Sequence, residues 1–215
     1  MRVLIACGGT GGHINPGLAI ADIIKSKYPD AEFLFAGTPK GMEAKLVPQA
    51  GYKLETIKVA GFQRKISLEN VGRNIKAAAY LVTSGRRAKE IINNFKPDIA
   101  IGTGGYAAGP VIRKAAKMGV PTAIHEQNAY PGVTNRLLSK EVDYVMLTVI
   151  EALEFMEKDK FEYSVTGLPV RSNINTISKA EARKKLGIND DFTVLSFGGS
   201  LGAGCINDTM TEAIK

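Results

Sequence analysis

The chain has 215 residues, of which 45% are hydrophobic and 23% charged, a balance that excludes disorder and allows one good core and the start of a second. Two cysteines, Cys7 and Cys205, lie too far apart in sequence to read as a disulfide framework. The N-terminal apolar run is too short for a secretory signal. No stretch reaches the roughly 20 apolar residues that span a bilayer, so the chain is expected to be cytosolic. Its formal net charge of +7 is concentrated. Between residues 58 and 96, Lys58, Arg64, Lys65, Arg73, Lys76, Arg86, Arg87, Lys89 and Lys96 face only Glu69 and Glu90, which accounts for the whole excess. Such a block is expected to meet an anionic surface, either lipid headgroups or nucleic acid.

In chain order, residues 3–6 read as a buried strand that runs into Cys7-Gly8-Gly9-Thr10-Gly11-Gly12-His13-Ile14-Asn15-Pro16-Gly17, and residues 18–24 read as a helix after an Asn-Pro turn. A strand follows at 32–37, a helix near 42–49, and a third strand with period two at 52–59. Residues 68–94 read as a long helix or a broken pair, weakened at Gly72 and Gly85. Further strands are expected at 98–101, 121–124 and 144–149, with helical patterns between them. This βα alternation predicts a mostly parallel sheet with helices on both faces.

Glycines that stop a strand and restart a helix leave backbone N–H groups at the positive end of a helix dipole, an anion site. The spacing fits neither standard fingerprint. No Gly-Lys-Ser/Thr closes a P-loop, and a G-x-G-x-x-G begun at Gly9 would need its last glycine at Ile14. Instead His13 follows the glycines, placing a titratable imidazole at the mouth of a phosphate-sized nest; the bland alternative is a tight turn in which His13 merely caps. Gly102-Thr103-Gly104-Gly105-Tyr106, with Gly109-Pro110 opening a helix, repeats the pattern after the fourth strand. Two nests on one sheet edge suit a diphosphate, and close helix packing is the competing account of the second loop. The fifth strand ends in His125-Glu126-Gln127-Asn128-Ala129, polar groups that either line the same crevice or pair within the fold.

After residue 163 the texture changes. Residues 164–173 read as a short strand and linker, Ser178-Lys179-Ala180-Glu181 as a capping box opening a helix that ends at Gly187, and residues 191–197 as a new strand before Gly198-Gly199-Ser200-Leu201-Gly202-Ala203. The expected organisation is a Rossmann-like domain over 1–163, a linker over 164–178, and the beginning of a second domain over 179–215 that is too short to finish.

Taken in order, Gly9-Thr10-Gly11-Gly12-His13 with Asn15-Pro16-Gly17, Gly102-Thr103-Gly104-Gly105-Tyr106, His125-Glu126-Gln127-Asn128-Ala129, Gly167-Leu168-Pro169-Val170-Arg171 and Gly198-Gly199-Ser200-Leu201-Gly202-Ala203 resemble the motif series of the MurG family. The resemblance spans essentially the whole chain. It implies a GT-B fold of two Rossmann-like domains, and transfer of N-acetylglucosamine (GlcNAc) from UDP-GlcNAc to undecaprenyl-diphosphate-linked muramoyl pentapeptide (lipid I), giving lipid II for peptidoglycan. By the same resemblance His13 is the candidate base. Thr10, Gly11, Gly12, His13, Asn15, Gly104, Gly105, Tyr106, Glu126, Gln127 and Asn128 would hold the acceptor diphosphate and sugar, and Thr10, Gly11, Gly12, Asn128, Arg171, Ser200 and Leu201 the donor.

The resemblance also places the chain peripherally on the inner face of the cell membrane. There Arg73, Ile75, Lys76, Ala79, Val82, Arg86 and Arg87 would rest on anionic inner-leaflet lipid; the apolar members of that set could equally be the buried face of a helix. Nucleic-acid binding is not expected, since no recognition motif accompanies the basic block. No cofactor is implied, and the lack of a D-x-D motif predicts no protein-held metal. Two departures stand out. Leu168 replaces the family's Asn, and Leu201 and Gly204 replace polar residues of the donor loop. With the donor half unfinished, the chain is expected to be inactive alone and prone to self-association through exposed apolar surface. Two alternatives are a non-catalytic acceptor-binding or membrane-docking subunit that pairs with a separate donor-binding chain, and a sugar-nucleotide epimerase or dehydrogenase, which the missing fingerprints disfavour.

Overall fold

The computed structural model describes residues 1–59, 83–171, 176–199 and 202–214. They divide into two compact units, Met1–Arg171 and Ser172–Lys215.

In the first unit seven strands form one parallel sheet: β1 (Arg2–Cys7), β2 (Glu32–Gly37), β3 (Lys53–Thr56), β4 (Ile99–Gly104), β5 (Thr122–Glu126), β6 (Tyr144–Leu147) and β7 (Glu162–Val165). Helices α1 (Gly11–Lys27) and α2 (Glu43–Gln49) follow β1 and β2. Residues 83–95, called α3 here, precede β4. Helices α4 (Ala108–Lys117) and α5 (Val133–Leu138) follow β4 and β5. The predicted parallel α/β architecture is the one found.

Strand alternation assigns each side chain to one of two cores. Val3, Ile5, Cys7, Phe35, Ile101 and Ala123 point to the face covered by Ile14, Leu18 and Ala21 of α1 and Val47 of α2. Leu4, Ala6, Leu34, Ala36, Ala100 and Ile124 point to the other, against Ala88, Ile91 and Ile92 of α3 and Val111, Ile112 and Ala115 of α4. Covering both faces is why these strands read as continuous apolar runs rather than alternating ones. Each fully buried Leu or Ile contributes about 1.5–3 kcal/mol relative to exposure.

The spatial order is β3-β2-β1-β4-β5-β6-β7. From β1 the chain winds outward through β2 and β3, returns, and winds the other way from β4. The winding therefore reverses between β1 and β4, and in open α/β sheets the crevice outside such a reversal is where ligands sit. Residue patterns predict the strands but not this order, which puts the two glycine loops side by side.

Several elements differ from the sequence reading. Helix α1 begins at Gly11 and runs through Asn15 and Pro16 instead of starting after an Asn-Pro turn. Pro16 is near enough to the helix start that its missing N–H removes only the bond to Gly12. The third strand keeps only Lys53–Thr56, the length that its neighbour β2 can pair. The first unit runs on through β7, which pairs in register with β6, and ends at Arg171. Of the long helix expected over 68–94, residues 68–82 lie outside the described residues.

The second unit contains α6 (Lys179–Leu186) and α7 (Gly204–Ala213). The expected capping box is present: Ser178 Oγ accepts the Glu181 N–H at 3.2 Å, and Glu181 returns a carboxylate oxygen to the Ser178 N–H at 2.8 Å. Gly187 ends the helix with φ +66°, a left-handed cap that glycine adopts without a Cβ clash. Residues 191–197, expected as a strand, form none. A strand needs a ladder partner, and no described residue supplies one; Phe192 remains 95% exposed.

Candidate active site

The β1–α1 and β4–α4 loops meet at the reversal in the sheet. The β1/β4 register slips between Ala6 and Cys7, pairing Ala6 with Gly102 and Cys7 with Gly104, so Thr103 is the extra residue of a bulge. The buried Thr103 hydroxyl donates to the His13 carbonyl at 2.7 Å, tying the second loop to the first turn of α1. Gly104 and Gly105 have φ values of +105° and +85°. A Cβ on Gly104 would strike the His13 ring, and one on Gly105 would strike the Gly8 carbonyl. Here glycine serves two purposes, left-handed backbone and direct loop-to-loop contact.

His13 is partly exposed in this junction, and its Nδ1 lies 3.1 Å from the Gly8 carbonyl. A carbonyl only accepts, so Nδ1 carries a proton, and in the neutral ring the lone pair is then on Nε2. The Thr10 hydroxyl is farther from Nδ1, at 3.5 Å. The N–H groups of His13 and Ile14 bond the Thr10 carbonyl, so those of Gly11 and Gly12 precede the first intrahelical bonds. They lie at the positive end of a 17-residue helix. The Gly9 N–H is different: it donates to Glu43 Oε2 at 3.1 Å and so does not belong to the anion nest read from the sequence.

Glu43 went unnoticed in the sequence. It opens α2, is fully buried, and also accepts the Thr38 N–H at 2.8 Å and the Thr38 hydroxyl at 2.6 Å. Gly8, Gly37 and Gly41 close around it, and a Cβ on any of them would overlap its side chain. Burial raises the carboxyl's pKa, but the Thr38 hydroxyl and the surrounding N–H groups more than reverse that, leaving it below the usual value. The available signal was a strand ending in Gly37 with Gly41 and an acid just beyond, the same strand–glycine–helix pattern as the other two loops.

The end of β5 is arranged differently from the expectation. Glu126 is 1% exposed, and its carboxylate accepts from the Asn128 N–H and Nδ2 at 2.9 Å each, Gly132 N–H at 3.1 Å and Asn135 Nδ2 at 2.8 Å. It organises its own loop rather than presenting a free carboxylate to the crevice. Asn128, which Glu126 holds, is exposed. Gln127 Nε2 donates to the Thr103 carbonyl at 3.0 Å, linking this loop to the bulge. His125 is fully buried: its Nε2 donates to the Gly167 carbonyl and its Nδ1 accepts from Gln127, both at 3.0 Å. Burial lowers its pKa, with Gly167 and Glu126 opposing, so the imidazole is a neutral brace.

The structure therefore brings together Thr10, Gly11, Gly12, His13, Gly104 and Gly105 where the two loops meet. Tyr106 is 62% exposed beside them, and Asn15 is exposed on the second turn of α1. Arg171 lies elsewhere: its Nε is 3.8 Å from Asp22 Oδ2. Asp22 is eleven residues along α1 from Gly11, about 16 Å at helical rise. Ser200 and Leu201 lie outside the described residues, as do Arg73, Ile75, Lys76, Ala79 and Val82. Of the basic block, Arg86 is exposed, while Arg87 is bound to Glu55 at 2.5 Å and Glu90 at 3.1 Å. Among the described residues no helix is long and apolar enough to cross a membrane.

Comparison with known proteins identifies this arrangement. The Glycosyltransferase family 28 N-terminal domain matches residues 3–147. Two curated relatives carry the name UDP-N-acetylglucosamine--N-acetylmuramyl-(pentapeptide) pyrophosphoryl-undecaprenol N-acetylglucosamine transferase. That of Acetivibrio thermocellus is 50% identical over 100% of this chain and 57% of its own length; that of Ruminiclostridium cellulolyticum is 48% identical over 100% and 58%. The chain thus spans a little over half the length of the curated relatives it matches. The crystal structure of Acinetobacter baumannii MurG is similar with a TM-score of 0.62 and 28% identity, over 80% of this chain and 46% of that one. The glycine loops at the sheet reversal are therefore those of a glycosyltransferase N-terminal domain, and the chain belongs to glycosyltransferase family 28.

Proposed function

We propose that this chain forms the acceptor-binding part of an inverting transferase that moves GlcNAc from UDP-GlcNAc to lipid I, giving lipid II. The observation that carries the reading is the His13 imidazole, held by its Nδ1 donating to the Gly8 carbonyl and packed between two glycine loops at the sheet reversal. Its curated relatives are named for this transfer.

In this reading the Gly11 and Gly12 N–H groups at the α1 N-terminus, with the loop around Gly105 and Tyr106, receive the acceptor diphosphate. Thr10 and the exposed Asn128 add contacts to both substrates in this reading. The His13 Nε2 takes the proton of the muramoyl hydroxyl as its oxygen bonds to the anomeric carbon. The bond from that carbon to the UDP oxygen breaks on the opposite face, so configuration inverts. An imidazole is the side chain suited to such proton transfer, and general-base catalysis contributes about 10²–10⁴-fold. Arg86 and its basic neighbours in sequence hold the chain against anionic inner-leaflet lipid, which delivers the lipid-linked acceptor.

The test is binding of a short-chain lipid I analogue to the 215-residue chain, with GlcNAc transfer measured on the same sample and on His13→Ala and His13→Gln variants. Lipid I binding that the analogue's undecaprenyl-phosphate counterpart cannot match, with any transfer lost in both variants, supports the reading. A chain that ignores the lipid I analogue, or transfers normally without His13, overturns it.

A further inference from the structure

One peptide group joins the buried Glu43 to His13. The N–H of Gly9 donates to Glu43 Oε2 at 3.1 Å, and the carbonyl of Gly8, the other end of the same planar amide, accepts from His13 Nδ1 at 3.1 Å. The sequence Glu43 carboxylate, Gly8–Gly9 peptide, His13 imidazole is thus a continuous hydrogen-bonded chain across three loops or helix starts. We propose that Glu43 is a positioning residue for His13, selecting its Nδ1–H tautomer and fixing the orientation of the ring through the intervening peptide. No proton passes along the chain.

The physical case rests on three features. First, a carboxylate at one end of an amide polarises it, so the Gly8 carbonyl becomes a better acceptor and holds the Nδ1 proton more firmly; hydrogen bonds in series strengthen one another in this way. Second, the carboxylate is immobile. Two donors from Thr38 hold Oε1, at 2.6 and 2.8 Å, leaving Oε2 for Gly9. Third, the surroundings exclude alternatives: Gly8, Gly37 and Gly41 leave no room for a side chain or solvent beside the carboxylate. A fully buried acid whose removal would also leave three donors unsatisfied is costly to keep for packing alone. Its place beneath the histidine gives it a use. A carboxylate that orients a base directly is a familiar arrangement; here the peptide stands between them.

The proposal rests on the reading of His13 as the reactive imidazole, but its test needs no substrate. With only two histidines in the chain, imidazole nitrogen resonances of ¹⁵N-histidine-labelled protein are assigned by a His13→Gln variant. At a pH where both rings are neutral, wild type should show His13 in the Nδ1–H form. In Glu43→Gln, which keeps size and an acceptor oxygen but removes the charge, the two His13 nitrogen shifts should move toward their average while those of buried His125 stay fixed as an internal report of the fold. An Nε2–H His13 in wild type, or an unmoved His13 pattern in a folded Glu43→Gln, overturns the proposal.

Should that variant unfold, hydrogen exchange of wild type decides. The Gly9 amide, though on an exposed residue, should exchange at least tenfold more slowly than those of Gly11 and Gly12. Equal rates would mean the carboxylate does not hold the peptide, and the proposal falls. Failure of glycosyl transfer with the tautomer result intact would remove the role of His13, not the link from Glu43.

Discussion

The α-carbon of Gly104 packs on the His13 ring: a Cβ added there would stand 2.7 Å from Cδ2 and 3.0 Å from Nε2. The imidazole of the first loop is therefore walled by bare backbone of the second. Gly104→Ala should displace the ring and adopt a left-handed φ at a cost of order 1–3 kcal/mol. Gly105→Ala meets the Gly8 backbone, which cannot swing aside, and should cost more. Urea unfolding of both variants checks this; a Gly105→Ala variant as stable as wild type would mean the loops do not touch.

Glu126 accepts four hydrogen bonds from residues 128–135. Glu126→Gln keeps one accepting oxygen and turns an NH₂ toward donors, so it should lose about 2–3 kcal/mol of stability, the cost of unsatisfied buried donors. Amide exchange should speed up over 127–132 before it does elsewhere. Unchanged protection in that loop would assign its order to other contacts.

Burial holds His125 below its ordinary value of 6.5, so the folded chain binds fewer protons at this site than the unfolded chain. The sign follows from linkage: the associated stability is fully present above pH 6.5 and is lost progressively as pH falls toward the depressed folded value. Urea midpoints should therefore decline from pH 7.5 to 5.5. A His125→Gln variant, whatever its stability at pH 7.5, should show a shallower decline; parallel curves would place the effect elsewhere.

Arg86 is exposed, whereas Arg87 is engaged by Glu55 and Glu90. Each basic side chain near an anionic bilayer is worth about 1 kcal/mol. Arg86→Glu should thus weaken binding to phosphatidylglycerol vesicles about tenfold or more, with no change on phosphatidylcholine. Cosedimentation checks this, and a loss under twofold would detach Arg86 from the lipid-facing surface.

Much of this protein is legible in the residues themselves. Apolar runs ending in glycine mark β1, β2 and β4, because a doubly covered parallel strand must be apolar throughout and its exit must turn at once into a helix. The capping box at Ser178 and Glu181 needs only local spacing, and it forms as read. His13 and the paired glycine loops stand out for the same reason: their signals are short in sequence.

What tertiary structure alone decided is which local features meet. The reversal of winding between β1 and β4 brings Gly104 and Gly105 to His13 and Gly8, contacts between residues about ninety apart. Polar residues at strand ends look alike in sequence, yet burial turns Glu126 and His125 inward while leaving Asn128 exposed. Glu43 has no motif of its own; it matters because three glycines and one peptide group surround it in space. Residues 191–197 show the converse. Their pattern suits a strand, but a strand exists only where a neighbour offers N–H and C=O groups, and propensity cannot supply the neighbour.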